Sequence, residues 1–179
     1  MTPRSSYDEI KTSIRNYGAA AFQNLLRARA LGEAVIARFH DYLGCERKKV
    51  AGVPALGPFD PREDYGEKAF SYYGRDVIIL EPVRFGVSLI VGNLEDSGAL
   101  WLRTVVAAEI AGDHFDVFVG AQPALRIPLD FAPSLDDVFK AMHREFLDTF
   151  ELQVLEFEDQ RFKTGIGFLP TRDAKSGQR

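Results

Sequence analysis

The sequence predicts an α+β fold in which two helices cover one face of a twisted antiparallel sheet. Three observations support this fold class: a helical apolar stripe over residues 6–44, alternation of apolar and polar residues over 83–131, and a second helical stripe after Ser134. The 179 residues, 46% of them hydrophobic, suffice for one domain with a sizeable core. We therefore expect a single domain over residues 1–169 and a disordered polar tail over residues 170–179.

The first element is a long helix. It is expected to begin at a capping box formed by Ser6 and Glu9, in which each side chain satisfies a free backbone amide. Apolar residues then recur at helical spacing as far as Gly44, a residue typical of a helix C-cap. Because the span is about three times the usual helix length, Gly18 and Gly32 are places where the helix could bend or break. Such a stripe is typical of a helix that covers a core, and its length also allows a dimer through helix pairing.

The segment that follows the helix is predicted to be a loop and then two short strands. Residues 52–66 are rich in glycine, proline and charged side chains, which fits a solvated connector or a lid over a pocket. Residues 69–73 and 76–81 are expected to be strands. Because residues 77–80 are apolar on both faces, that strand should be covered on both sides or lie beneath the loop.

The meander over residues 83–131 has two chemically different faces, because successive strand side chains point to opposite sides. One face is apolar and should lie beneath the helices. With the shorter strands, the sheet is expected to contain five to seven strands. The other face is charged, and any chemistry is expected there; it collects Arg84, Ser88, Trp101, Arg103, Glu109, His114, Asp116, Arg126 and Asp130.

The register of this meander can be predicted from its turns. A two-residue Gly112-Asp113 turn places Glu109 opposite Asp116, and a slip by one residue would move the apolar side chains into water. Two carboxylates in direct opposition are destabilising, so flanking arginines, a shared proton or a bound cation should offset them. The expected arginines are Arg84, opposite Ala107 on the neighbouring strand, and Arg126 on the next strand.

The last strand of the meander is predicted to pair Val119 with Leu125. This register places Arg126 opposite Phe118, Pro128 opposite Asp116 and His114 opposite Asp130. Because proline lacks a backbone donor, the strand that contains Pro128 is expected at a sheet edge.

A C-terminal helix is expected to begin at Ser134, with Asp136 and Asp137 in its first turn, where negative charge is favourable. Its apolar stripe extends to about residue 160 in this interpretation. Residues 150–157 also fit a strand pattern, which leaves both possibilities open at this end.

Several function classes are excluded or disfavoured by composition. The net charge of −4 disfavours general binding to nucleic acid. The single cysteine, Cys45, is treated as structural, and no histidine pair has the spacing of a zinc helix, so no metal or cofactor is predicted. The chain has neither an N-terminal apolar leader nor a membrane span, from which we expect a cytoplasmic protein.

No motif points to a named reaction, so we expect no catalytic residues and more likely a non-enzyme. The leading hypothesis is a protein-interaction module or a homodimer assembled through the long helix or the face around Trp101. The alternative is a small-ligand site or an enzyme on the charged face, closed by the loop at residues 52–68. Its candidate ligand-binding residues are Arg84, Trp101, Arg103, Glu109, His114, Asp116 and Arg126.

Overall fold

The computed structural model describes residues 5–94, 98–155 and 165–169. A long N-terminal helix, an antiparallel sheet and a C-terminal helix that contacts the sheet confirm the predicted α+β class. Short 3₁₀ turns lie at Arg47–Lys49, Gly66–Ala69 and Ala132–Ser134. The helices and strands are α1 (Ser6–Leu43), β1 (Val50–Val53), β2 (Val83–Leu94), β3 (Gly98–Ala111), β4 (His114–Val119), β5 (Leu125–Pro128), α2 (Leu135–Leu155) and β6 (Gly165–Leu169).

The sheet runs in the order β1-β2-β3-β4-β5, and all of its pairs are antiparallel. Strand β3 has 14 residues, and one of its edges pairs first with β6 and then with β4. Strand β5 lies at a sheet edge, as its proline predicted. Strand β6 was not predicted, because Gly165 and Gly167 weaken the strand pattern. The predicted tail over residues 170–179 lies outside the described residues.

Helix α1 is one continuous helix of 38 residues, without a break at either glycine. Its N-cap is Ser5 rather than Ser6: the Ser5 hydroxyl accepts a hydrogen bond from the Asp8 amide at 3.2 Å. Gly44 ends the helix with φ of +68°, as predicted. At Gly32 the helix packs closely against Phe70, because a Cβ added there would lie 2.6 Å from a ring carbon of Phe70. A larger residue at this position would therefore clash.

The hydrophobic core lies between the apolar sheet face and the two helices, which confirms the predicted layer order. Phe39 of α1 packs against Phe139 and Phe146 of α2, with ring centroids 5.7 and 6.2 Å apart. Strands β2 to β5 contribute buried side chains to this core, namely Val83, Phe85, Val87, Leu102, Val106, Ala108, Phe115, Val117, Val119 and Ile127.

The register of β3 and β4 agrees with the prediction, and Glu109 lies opposite Asp116. The predicted register of β4 and β5 is wrong by two residues. Asp116 lies opposite Arg126, not Pro128, and Arg126 is therefore not opposite Phe118. A shift of two residues preserves the alternation, so each side chain remains on its predicted face.

The cause of this shift is a longer connection between β4 and β5. The Gly120 amide donates to the Val105 carbonyl at 2.9 Å, which holds the chain against β3 after β4 ends. The buried carboxylate of Glu145 on α2 then accepts hydrogen bonds from the Ala121 amide and the Gln122 side chain. A residue distant in sequence thus fixes where β5 starts.

The two strands predicted over residues 69–81 are wrong. Phe70 forms an isolated bridge with Phe85, and residues 77–80 form no strand and are exposed. The outer edge of β2, the strand that follows residues 77–80 in the chain, is already occupied by β1 and Phe70, so residues 77–80 do not pair with it.

Helix α2 begins directly after Ser134, with Asp136 and Asp137 in its first turn, as predicted. It is helical through Leu155. The alternative prediction of a strand over residues 150–157 is therefore wrong for residues 150–155. The predicted extension to residue 160 lies outside the described residues. Across the described ranges, no helix is long and apolar enough to cross a membrane.

Candidate functional site

One end of the charged face is covered by the loop that follows β1. The Phe59 ring packs edge-on against Trp101, with centroids 4.7 Å apart, and the Arg103 guanidinium lies 4.4 Å from the centre of the same ring. Arg103 also donates hydrogen bonds to the carbonyls of Pro54, at 3.2 Å, and Gly57, at 2.8 Å. The loop therefore lies directly against Trp101 and Arg103.

Beneath this loop the charged face is a small second core. Val53 and Val105 are buried, as is Ser88, which lies directly opposite Arg103. The Ser88 hydroxyl and the Arg103 Nε have no hydrogen-bond partner in the described part of the chain. Burial lowers the pKa of the Arg103 guanidinium. Arg103 thus links the loop to the sheet through its hydrogen bonds to the Pro54 and Gly57 carbonyls.

The other end of the charged face carries a small polar cluster beside the β3–β4 turn. The His114 Nδ1 lies 3.0 Å from the Asp113 carboxylate, and its Nε2 lies 3.2 Å from the Asp116 carboxylate. The hydrogen bond to His114 lowers the pKa of Asp113 below its ordinary value. The predicted pairing of His114 with Asp130 is wrong, because the β4–β5 register places His114 opposite Pro128.

The arginines do not form the expected ion pairs with the carboxylates. Arg84 lies opposite Ala107, as predicted, and Arg126 lies directly opposite Asp116 instead of diagonal to it. Among the described residues, no ion pair within 4.0 Å joins Glu109 to either arginine, and Asp116 pairs with His114. The described ranges also contain no group of three or more His, Cys, Asp or Glu side chains that could hold a metal ion.

The seven predicted ligand-binding residues do not form one site. Trp101 and Glu109 are eight residues apart on β3, which corresponds to roughly 26 Å at about 3.3 Å per residue. Trp101 and Arg103 lie beneath the loop. Arg84 lies on β2 opposite Ala107, nearer the turn end, where Glu109, His114, Asp116 and Arg126 are found.

A cavity of about 1040 Å³ opens beside β1, between α1 and the segment at residues 61–67. Its apolar wall includes Ile36 of α1, Val50 of β1 and Phe70. We call this cavity the β1 cleft. No local pattern in the sequence indicates this cavity, because it arises where a helix, a strand edge and a loop come together from three parts of the chain.

A second surface is apolar and exposed. The N-terminal half of α1 presents large exposed apolar side chains. The Tyr17 hydroxyl accepts a hydrogen bond from the Leu80 amide at 2.9 Å. Residues 77–80 thereby lie beside the helix. We call the combined surface the helix–loop patch; it consists of Tyr7, Ile10, Ile14, Tyr17, Val77, Ile78, Ile79 and Leu80, with relative exposures from 43% to 69%.

The chain was compared with family models, with curated proteins and with solved structures. None of them matches. The candidate functional regions are therefore identified from the structure of the chain itself. They are the loop-covered end of the charged face, the β1 cleft and the helix–loop patch.

Proposed function

We propose that this protein is a non-enzymatic, self-associating module, in which the helix–loop patch of one copy packs against the same patch of a second copy. Such an interface is isologous, as in most homodimers, because both copies contribute the same residues. The observation that supports the proposal is the exposure of eight large apolar side chains, in two segments that the Tyr17–Leu80 hydrogen bond joins.

The size of this surface fits a dimer interface. Aromatic side chains such as Tyr7 and Tyr17 bury about 150–250 Å² each, and the six aliphatic members are smaller, so each member exposes on the order of 100 Å² at most. The eight together expose at most roughly 800 Å², main chain and tyrosine hydroxyls included, which is comparable with what one partner contributes to a standard interface. The largest apolar patch of a typical monomer covers about 300–600 Å². The patch is thus comparable in size with the largest patches that monomers leave in water.

The spacing of the helical part supports helix pairing. Tyr7, Ile10, Ile14 and Tyr17 are separated by three, four and three residues, the pattern of a helix that packs against another helix. The same stripe continues into the buried half of α1, which begins at Ala21 and packs on the sheet. A single stripe therefore covers the core in one half of the helix and lacks a partner in the other half.

An antiparallel arrangement pairs these residues well. With a two-fold axis near Thr12, Ile10 faces Ile14 of the second copy, and Tyr7 faces Tyr17. The first turn of the second helix then lies beside residues 77–80, so the loop part of the patch is covered as well. The two helix dipoles run in opposite directions in this arrangement, which is favourable.

The test is the solution mass of the full chain with Ile10→Glu and Ile14→Glu combined. We expect the unchanged protein to have twice the chain mass of 20.0 kDa by light scattering, and the double variant to have the mass of one chain. Both positions are exposed, and glutamate is a good helix former, so the fold should persist by circular dichroism. Leu26→Glu is the matched control, since Leu26 is an exposed apolar residue on another side of α1.

Two results would contradict the proposal. One is a single-chain mass for the unchanged protein at concentrations of several hundred micromolar, where an interface of standard size is occupied. The other is an equal loss of association with Leu26→Glu, which would mean that general hydrophobicity of the helix, and not this patch, brings the copies together.

The alternative function, a small-ligand site on the charged face, is supported by one observation at the Trp101 end. The Ser88 hydroxyl and the Arg103 Nε are buried without partners beneath the loop. A site there would take an anionic group such as a carboxylate. Phe59→Ala opens the loop contact, so it should change any thermal stabilisation by small carboxylates; no stabilisation of either protein would count against this site.

A further inference from the structure

The β1 cleft has the size of a small-molecule site. Its volume of about 1040 Å³ lies near the upper end of the range of ligand pockets, which is about 300–1,000 Å³. Pro61 and Ile90 of β2 extend the apolar wall described above. Pockets of this kind hold the apolar body of a ligand against such a wall and orient the ligand through a few polar groups. The polar groups of the cleft therefore decide which ligand fits.

Most of the cations that line the cleft already have partners. Three of the five form ion pairs, namely Arg29 with Glu33 and Glu67, Lys48 with Glu46, and Arg62 with Asp60. The remaining lining charges are two cations, Arg47 and Lys49, and two carboxylates, Glu63 and Asp64. In the described part of the chain, no ion pair within 4.0 Å involves any of these four side chains. The cleft thus offers charges of both signs to a ligand.

The two unpaired cations lie at the start of β1. Arg47 and Lys49 belong to the 3₁₀ turn that directly precedes Val50, the first residue of the strand. Lys49 is half-buried, so its ammonium group is less hydrated than that of an exposed lysine. A partly desolvated charge without an ion-pair partner favours an oppositely charged ligand group.

The loop that carries the two carboxylates enters the cleft from this same end. Phe59 packs against Trp101, which lies opposite Ile90 on β2. Ile90 lines the cleft and follows Leu89, the partner of the first residue of β1. The carboxylates come shortly after Phe59 in the chain. Cations and carboxylates therefore line one cavity without being assigned to opposite ends of it.

We infer that the β1 cleft binds a small zwitterion with an apolar body, of the class of the apolar amino acids. The carboxylate of this ligand lies beside Arg47 and Lys49, its ammonium group beside Glu63 and Asp64, and its side chain against the apolar wall. Hydrogen bonds between charged groups are stronger than those between neutral groups, so two of them fix the orientation of a small ligand.

A zwitterion fits these charges better than a ligand with one sign of charge. An amphipathic anion matches the two cations but brings a negative charge into a cavity with two unpaired carboxylates, and an amphipathic cation meets the converse difficulty. Like charges in proximity cost binding free energy. An uncharged apolar molecule would take water away from charges that it cannot pair.

Isothermal titration calorimetry of the full-length protein with five probes separates the parts of this inference. Phenylalanine carries both charges and an apolar ring. N-acetylphenylalanine lacks the positive charge, phenylalaninamide lacks the negative charge, and N-acetylphenylalaninamide lacks both. Glycine keeps both charges and has no apolar side chain.

We expect phenylalanine to bind with a Kd below about 1 mM, and each of the other four probes to bind at least about fivefold more weakly. The combined change Arg47→Gln and Lys49→Gln should remove the advantage of phenylalanine over phenylalaninamide. Glu63→Gln combined with Asp64→Asn should remove its advantage over N-acetylphenylalanine. Each pair of changes thus reports which charge of the ligand it meets.

A further variant tests the location. Ala37 is an exposed residue of α1 that lines the cleft, so Ala37→Phe fills part of the cleft without entering the core and should abolish binding. Ala19→Phe, at an exposed position of the same helix that does not line the cleft, is its matched control. Lys140→Gln, an exposed charge change on α2, is the control for the loss of charge. Both controls should leave the affinity for phenylalanine unchanged.

Four results would overturn the inference. Phenylalanine could fail to bind with a Kd below about 1 mM. N-acetylphenylalanine or phenylalaninamide could bind as tightly as phenylalanine, which would mean that the ligand needs only one charge. Glycine could bind equally well, which would exclude a role for the apolar wall. An unchanged affinity in Ala37→Phe, with its helix content confirmed by circular dichroism, would place the ligand outside the cleft.

Discussion

The two glycines within α1 allow a matched test of the packing described above. Gly18 has nothing within 4 Å of the position where a Cβ would lie, whereas Gly32 faces the rings of Phe70 and Phe85. Replacing each by alanine makes the same chemical change in the same helix. The two variants therefore differ chiefly in what the new methyl group meets.

The expected magnitudes follow from this geometry. Alanine in place of glycine within a helix stabilises the folded state by about 0.5–1 kcal/mol, and Gly18→Ala should show this gain. At Gly32 the Cβ would lie 2.6 Å from Phe70 and 2.9 Å from Phe85, both buried rings with little room to move. Such overpacking costs about 1–3 kcal/mol, so Gly32→Ala should be less stable than Gly18→Ala by about that amount.

The assay is urea unfolding followed by circular dichroism, at one protein concentration because association also affects stability. With an m-value of about 2 kcal/mol/M, the two midpoints should differ by roughly 0.5–1.5 M. Equal m-values would show that both variants unfold from similarly compact states. A Gly32→Ala protein as stable as Gly18→Ala would refute the close packing of α1 on the sheet.

Three further predictions concern single side chains. The Asn24 side chain donates a hydrogen bond to the Glu81 carbonyl at 2.9 Å and accepts one from the Ile110 amide at 2.8 Å. The change Asn24→Leu should lower the free energy of unfolding by about 2–4 kcal/mol, because these backbone groups lose their partners. Urea unfolding measures this loss, and Gln23→Leu on the exposed side of α1 is the control. The pKa of Asp113 is lowered by the His114 hydrogen bond, so its stabilisation is present above the unfolded-state pKa and is lost as pH falls through the lower folded-state pKa. Asp113→Asn should therefore flatten the acid side of a plot of melting temperature against pH, and an unchanged slope would contradict this. Burial raises the pKa of the Cys45 thiol, so iodoacetamide should modify it more slowly at pH 8 than in urea, as mass spectrometry can measure.

The fold could be predicted from the sequence because strand alternation and helix periodicity are local patterns. The two-residue turn Gly112-Asp113 joins the strands that carry Glu109 and Asp116. The register of these two strands therefore follows from residues that are close together in the chain. The β4–β5 register could not be predicted in this way. Glu145 on α2 anchors the connection after β4, and nothing near Arg126 in the sequence indicates that contact.

The candidate surfaces were harder to predict than the fold. The charged face was located from alternation alone, but whether it is open or covered depends on a loop whose path is set by Phe59 and Arg103. Residues 77–80 were expected to be buried because they are apolar on every side. Their exposure follows from the occupied edge of β2, which only the assembled sheet reveals.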